Sequence, residues 1–134
     1  VILVVNTASY CGFTKQYNEL QELWDLYKDK GLIVLGVPSN DFGSQEPESE
    51  NKIKKFCETN FSINFPMTAK AKVKGKDAHP FFIWAREQVG VVGSPKWNFH
   101  KYLIGPDGQL LDWFASTTKP DSIKVKKAIE KALN

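Results

Sequence analysis

Residues 1–14 read VILVVNTASYCGFT. The first seven are β-branched and apolar nearly throughout, which suits a strand buried on both faces, as in the parallel sheets of α/β proteins. The run gives way to Cys11, and from Thr14 onward the apolar period changes to that of a helix. Leu20, Leu23, Trp24 and Tyr27 fall at i, i+3, i+4 and i+7, one stripe of a helical surface. Thr14 is the expected N-cap and Gly31 the expected C-terminal stop. LIVLGV, residues 32–37, is a second apolar strand. Strand, helix, strand at this spacing predicts a right-handed βαβ unit with parallel strands. Cys11 therefore falls in the turn from the first strand into the first helix. Unpaired N–H groups and a partial positive charge collect there, and they favour the thiolate, the form that attacks peroxides and disulfides. Burial as a small apolar residue is the competing reading of this cysteine.

Further along, PSNDFGSQEP, residues 38–47, has loop composition. A helix is expected over 48–60, with Glu46, Glu48 and Glu50 at its positive end and Ile53, Phe56, Cys57 and Phe61 on its apolar face. Residues 62–76 read as irregular structure around Pro66. A third helix starts near Pro80, a good first-turn residue, carries Phe81, Trp84, Ala85 and Val89 as its stripe, and ends at Gly90. KYLI and QLLDWF flank the turn GPDG and predict a hairpin. The last helix opens at Pro120 and buries Val125, Ala128, Ile129, Ala132 and Leu133. The order β-α-β-α-α-β-β-α places the chain in the α/β class. It is the thioredoxin-like arrangement, a mixed central sheet flanked by helices, expected as one domain over residues 1–134.

Composition narrows the function. The net charge of +3 is small. The lysines at 70–76 and 124–131 form no continuous tract with interleaved aromatics, so nucleic acid is not an expected partner. No apolar run approaches membrane-spanning length. Two cysteines do not make a secreted disulfide framework; they are reduced core residues or a redox pair. VILVV is too short for a signal sequence and lacks a basic flank. The chain opens inside a strand, so further residues are expected upstream and any targeting signal would lie among them. A cytoplasmic setting is favoured, with a periplasmic one open.

Ligand sites of open α/β sheets form beyond the carboxyl ends of the parallel strands. Cys11 follows the first such strand and residues 40–45 follow the second. An antiparallel strand beginning near Phe99 would bring Trp97 and Asn98 to the same edge. A thiol, two amides and an indole N–H would then meet, a set of donors able to stabilise a thiolate and the oxyanion leaving a split O–O bond. Each hydrogen bond to a charged partner is worth roughly 1.5–3 kcal/mol. Taken singly, Gln45 reads as a surface amide, Trp97 as core, Asn98 as a turn residue and Cys57 as helix packing.

Three blocks together say more. Cys11 in NTASYCGFT, Gln45 in NDFGSQEP, and Trp97 and Asn98 in KWNF resemble, in order and spacing, the signature blocks of the glutathione peroxidase family, and the similarity runs nearly the whole chain. The resemblance implies that these four residues form a catalytic tetrad, with cysteine in place of selenocysteine as the nucleophile. FCETNFSINFP, residues 56–66, is similar to the segment that carries the resolving cysteine of thioredoxin-dependent members, which makes Cys57 the candidate second thiol. It implies a thiol peroxidase acting on hydrogen peroxide and organic or lipid hydroperoxides. It also implies no metal or organic cofactor, and thioredoxin or glutathione as the thiol co-substrate. The short stretch from Val89 to Trp97 implies a monomer or weak dimer. The family's usual N-terminal hairpin is absent. Asp41 departs from the usual loop and adds a carboxylate near the site, expected to face solvent. A CxxC reductase is excluded because Thr14 occupies the second position, and His79 and His100 are too distant in sequence to complete a copper site with Cys11. A peroxide-sensing relay that oxidises a partner protein is the remaining alternative.

Overall fold

The computed structural model describes residues 1–134. Its sheet has four strands in the order β2-β1-β3-β4, with β1 at Ile2–Thr7, β2 at Ile33–Pro38, β3 at Lys101–Ile104 and β4 at Leu110–Phe114. β1 runs parallel to β2 and antiparallel to β3, and β3 and β4 form the hairpin. Four α-helices surround it: α1 at Gln16–Tyr27, α2 at Glu50–Phe61, α3 at Pro80–Gly93 and α4 at Ile123–Leu133. The element order and the mixed sheet are those expected from the apolar periods.

The strand period of two explains why β1 is apolar throughout. Leu3 and Val5 point to one face and pack with Leu20, Leu23, Val125 and Ile129 of α1 and α4. Val4 points to the other, into a second cluster with Phe82 and Ala85 of α3. Both faces are covered, so both sets of alternate residues must be apolar.

Several local readings change. The N-cap of α1 is Lys15, which makes no side-chain capping bond, and Thr14 serves elsewhere. α1 runs into a short 3-10 turn, Lys28–Lys30, closed by Gly31 at φ 106°. α2 is capped by Ser49, whose hydroxyl accepts from the Lys52 N–H at 3.4 Å. Glu46 is not at this helix end; it is buried. The buried face of α3 is centred on Phe82 and Ala85, leaving Phe81, Trp84 and Val89 half-buried at its sides. At Gly90 the backbone turns to φ 73°, a kink rather than an end, and helical structure resumes to Gly93.

Two buried basic residues, one on β3 and one just before it, hold loops in place. Lys101 is fully buried, and its Nζ donates to the carbonyls of Ala115 (3.2 Å), Ser116 (3.4 Å) and Thr118 (2.6 Å), fastening the link between β4 and α4. Burial pushes its ammonium down to about 7, with Glu19 opposing the shift. His100 is buried with its Nε2 2.8 Å from the Gly93 carbonyl, which anchors the end of α3. Its ring stacks on Trp113 at 5.5 Å.

Burial pushes the His100 imidazole down to about 4 from its ordinary 6.5, with the Gly93 carbonyl opposing and Lys101 and Lys96 reinforcing the shift. The folded-state value lies below the unfolded one, so the unfolded chain takes up its proton first as pH falls. Stability from this group is full above pH 6.5 and is lost on descent toward pH 4, by about 3 kcal/mol in total. Urea melts of His100→Gln should show lower stability at neutral pH and a flatter decline in acid than the parent. An equally steep decline would assign the acid sensitivity to other groups.

Candidate active site

The site lies at the carboxyl end of β1, and Asn6 builds it. Asn6 is 1% exposed and spends its polar groups on the segment before β3. Its Nδ2 donates to the Trp97 carbonyl (3.0 Å), its carbonyl accepts from the Phe99 N–H (2.6 Å), and its N–H donates to the His100 carbonyl (3.3 Å). Phe99 takes φ 65°, a left-handed conformation uncommon for a bulky residue. That bend turns Trp97 and Asn98 back toward the loop after β2.

Asn98 then fixes the polarity of Gln45. Its Nδ2 donates to the Phe42 carbonyl (3.3 Å) and to Gln45 Oε1 (3.0 Å). A backbone carbonyl can only accept, so the Asn98 amide orientation is set by Phe42, and Gln45 must present its oxygen to Asn98. The Gln45 Nε2 donors are left free of protein partners, as is the Trp97 indole N–H. The indole rests on Gly43: a Cβ placed there would lie 2.6 Å from Trp97 Cη2 and 3.5 Å from Gln45 Cδ. Gly43 also has φ 67°. The Phe42 ring packs against the indole, centroids 6.0 Å apart.

Cys11 is 8% exposed and lies in a braced turn. Thr14 Oγ1 accepts from the Cys11 N–H and donates to the Ala8 carbonyl, both at 2.9 Å. This is why Thr14 does not cap α1: its hydroxyl satisfies two backbone groups inside the turn. The Phe13 N–H donates to Cys11 Sγ at 3.3 Å, a donor aimed at the atom that carries negative charge when it attacks. The Tyr10 N–H donates to the Gln45 carbonyl at 3.0 Å and joins this turn to the second loop. Gln45, Trp97 and Asn98 are thus brought together beside the cysteine turn, and none of their side chains hydrogen-bonds Sγ itself.

Asp41 does not face solvent freely, nor the thiol. Its Oδ2 accepts from the N–H groups of Val73 (2.7 Å) and Lys74 (3.2 Å) and ties down the irregular 70–76 segment. Cys57 is 1% exposed on α2, in the same core cluster as Cys11, and both are free thiols. Burial pushes its thiol up to about 11; Tyr17 opposes that, while Glu46 and Glu58 add to it. No three His, Cys, Asp or Glu side chains gather where they could hold a metal ion, and no helix is long and apolar enough to cross a membrane. The sequence does not single out Asn6, and it offers Thr14 only as a helix cap and as the residue that breaks a CxxC pattern. Thr14, three residues after the cysteine, carried the only available cue, that of a small hydroxyl inside a turn.

Comparison with known proteins agrees with this architecture. A family model described as Glutathione peroxidase matches residues 1–86. The chain is 49% identical over 135 residues to the Glutathione peroxidase homolog BsaA of Halalkalibacterium halodurans, covering 99% of this chain and 85% of that one. It is 43% identical over 141 residues to the Hydroperoxy fatty acid reductase gpx1 of Synechocystis sp., covering 99% and 82%. The crystal structure of Trgpx in apo form superposes with TM-score 0.76 at 39% identity, over 98% of this chain and 79% of that chain. A thioredoxin-family thiol:disulfide interchange protein of Chlorobium tepidum shares the fold alone, with TM-score 0.70 at 15% identity over 99% and 79%. The fold is thioredoxin-like. The chain belongs to the glutathione peroxidase family, in its cysteine branch, and is a peroxidase-type oxidoreductase.

Gly43→Ala should push the indole off its seat and strain a left-handed backbone. The expected cost is about 1–3 kcal/mol in denaturant melts, with peroxide consumption at least tenfold lower. Unchanged consumption would remove Trp97 from the site.

Proposed function

We propose that this protein reduces hydrogen peroxide and organic or lipid hydroperoxides by a two-cysteine cycle. Cys11 thiolate attacks one peroxide oxygen; the O–O bond breaks, the sulfur becomes a sulfenic acid, and water or an alcohol leaves. The Trp97 indole N–H and Gln45 Nε2 hold the peroxide and the developing oxyanion, and Asn98 orients Gln45. The observation that carries this reading is the pair of donors, free of protein partners, grouped beside the cysteine turn. Removing one such donor at an oxyanion typically costs 10²–10³ in rate.

Cys57 then displaces the sulfenic oxygen as water to form a disulfide with Cys11, and a dithiol protein of the thioredoxin type restores both thiols by exchange. A thiol in the middle of a helix reaches Cys11 when that helix opens. Several features support opening at α2. Only Ile53 and Cys57 of its twelve residues are buried. Its C-cap, Ser62, is a non-glycine residue at φ 52°, and its N-capping bond is long at 3.4 Å. A groove of about 580 Å³ separates it from residues 63–69 on one side. Few buried contacts and weak ends mark a segment of low local stability.

Cys11→Ser should abolish peroxide consumption. Cys57→Ser should consume one equivalent of peroxide at the parent rate yet lose turnover driven by thioredoxin. Turnover undiminished in Cys57→Ser would point to glutathione as the direct resolving thiol. A parent protein that stops after one equivalent with either reductant would instead be a relay that oxidises a partner protein.

A further inference from the structure

Glu46 is the one acidic side chain enclosed by the core, fully buried beside Gln45. Both its carboxylate oxygens lack a hydrogen-bond partner. A charged group so placed costs several kcal/mol unless something offsets it. The backbone accounts for its position: the Glu46 N–H donates to Asn40 Oδ1 at 2.9 Å, and the neighbouring Gln45 carbonyl pairs with the Tyr10 N–H. That pairing sets Glu46 against Ser9, two residues before Cys11. Ser9 Oγ and the Tyr17 hydroxyl are likewise buried without a partner. Tyr17 belongs to the core cluster that holds both cysteines. Unused buried hydrogen-bonding capacity is therefore present at Glu46, Ser9 and Tyr17.

The groups facing the carboxylate are few. Burial raises its pKa; the Ser9 hydroxyl and N–H oppose this without making a bond of ordinary geometry, Lys70 also opposes it, and Glu48 adds to it. Its charge is felt in turn at Cys57, Tyr17 and Tyr10. Cys57 faces Tyr17 and Glu58 besides. While α2 is closed, the Cys57 thiol, at about 11, holds its proton at neutral pH, so a base must take that proton before the helix opens and the sulfur attacks.

We propose that Glu46 is the proton acceptor for Cys57 in the disulfide-forming step, with the buried Ser9 and Tyr17 hydroxyls as its polar neighbours. The carboxylate takes the proton from Cys57 Sγ, and the sulfur's electron pair forms the S–S bond to Cys11. The S–O bond of the Cys11 sulfenic acid breaks, and the departing hydroxide recovers the proton from Glu46 and leaves as water. The Cys57 sulfur is oxidised and the sulfenic sulfur reduced, with no other reactant. This rests on the two-cysteine cycle above.

The test is rapid mixing with one equivalent of hydrogen peroxide. Sulfenic acid is captured by a 1,3-dione probe, and the disulfide is followed by quenched thiol counting across pH. In the parent, disulfide formation should rise with pH and level off well below the thiol's own range. Glu46→Gln should form sulfenic acid at the parent rate but form the disulfide at least tenfold more slowly at pH 7, a general-base effect. Its rate should then climb with pH through the alkaline range. Glu46→Asp, which keeps a carboxylate, should retain more of the rate than Glu46→Gln, and it decides the matter with the parent profile if Glu46→Gln does not fold. Equal disulfide rates in the parent and the variant that folds, or a parent rate still climbing tenfold per pH unit at pH 9, would overturn the proposal. Peptide mapping separates the two failures: a parent protein that never joins Cys11 to Cys57 overturns the two-cysteine cycle itself.

Discussion

Asn6 is where the sheet and the site become one object. A residue inside a strand ordinarily spends its two backbone groups on the ladder and points its side chain at a neighbouring layer. Asn6 instead directs its N–H, its carbonyl and its side-chain amide at one four-residue segment, Trp97 to His100. Each such bond contributes about 0.5–1.5 kcal/mol net. Together they outweigh the roughly 1–2 kcal/mol that a left-handed conformation costs Phe99. Without that bend the chain would enter β3 with Trp97 and Asn98 facing elsewhere. The consequence passes on by hydrogen-bond polarity: Phe42 orients Asn98, and Asn98 orients Gln45. With the Gln45 oxygen committed to Asn98, the Gln45 Nε2 group and the Trp97 indole N–H make no hydrogen bond within the protein.

The same molecule divides into a stiff half and a loose one. The cysteine turn is cross-braced by Thr14, and the second loop is fastened to it at Tyr10 and to residues 73–74 by Asp41. The far side of the sheet is closed by His100 and Lys101. α2 is held more lightly: apart from its share of the core, it is tied by Glu50 Oε1, which accepts from the Lys70 N–H at 3.3 Å, and by Tyr10, whose ring lies 6.1 Å from Phe56 and whose hydroxyl reaches Glu48 at 3.4 Å in an exposed setting. In the proposed cycle the peroxide site needs fixed donors and the second thiol needs freedom to travel, and these opposed demands fall on different elements.

The elements were legible in the sequence because they depend on periodicity. The continuous apolar run of β1, the stripe of α1 and the turn GPDG each state a local preference that the tertiary structure respects. The expected meeting of three segments followed from topology, since an antiparallel β3 must start at the edge where β1 ends. What stayed hidden depends on partners distant in the chain. Thr14 looked like a helix cap because a hydroxyl before an apolar stripe usually is one; the Ala8 carbonyl that claims it is known only from the folded turn. Asp41 looked solvent-facing because the amides of Val73 and Lys74 are more than thirty residues away. Lys101 opens a strand, where lysine suggests a wet edge, yet the carbonyls of the loop after β4 enclose its ammonium. The apolar face of α2 placed Cys57 in the core correctly, while Glu46, read as part of the charge at that helix's start, turned inward.

Three buried ionisable side chains can be sorted by what surrounds them. Lys101 has three carbonyl acceptors and His100 has one, so each closes a loop and its burial is compensated. Glu46 has no hydrogen-bond partner for either oxygen. Packing alone would favour an apolar residue or a neutral amide there, because an unpaired carboxylate weakens the fold at any pH where it is charged. Most buried polar groups in native proteins are satisfied, so one that is not points to a demand other than stability. In the two-cysteine cycle we propose, the thiols supply that demand: one bears charge to attack peroxide, and the other sheds a proton held tightly by its own burial. A carboxylate made more basic by burial is chemically suited to that second task.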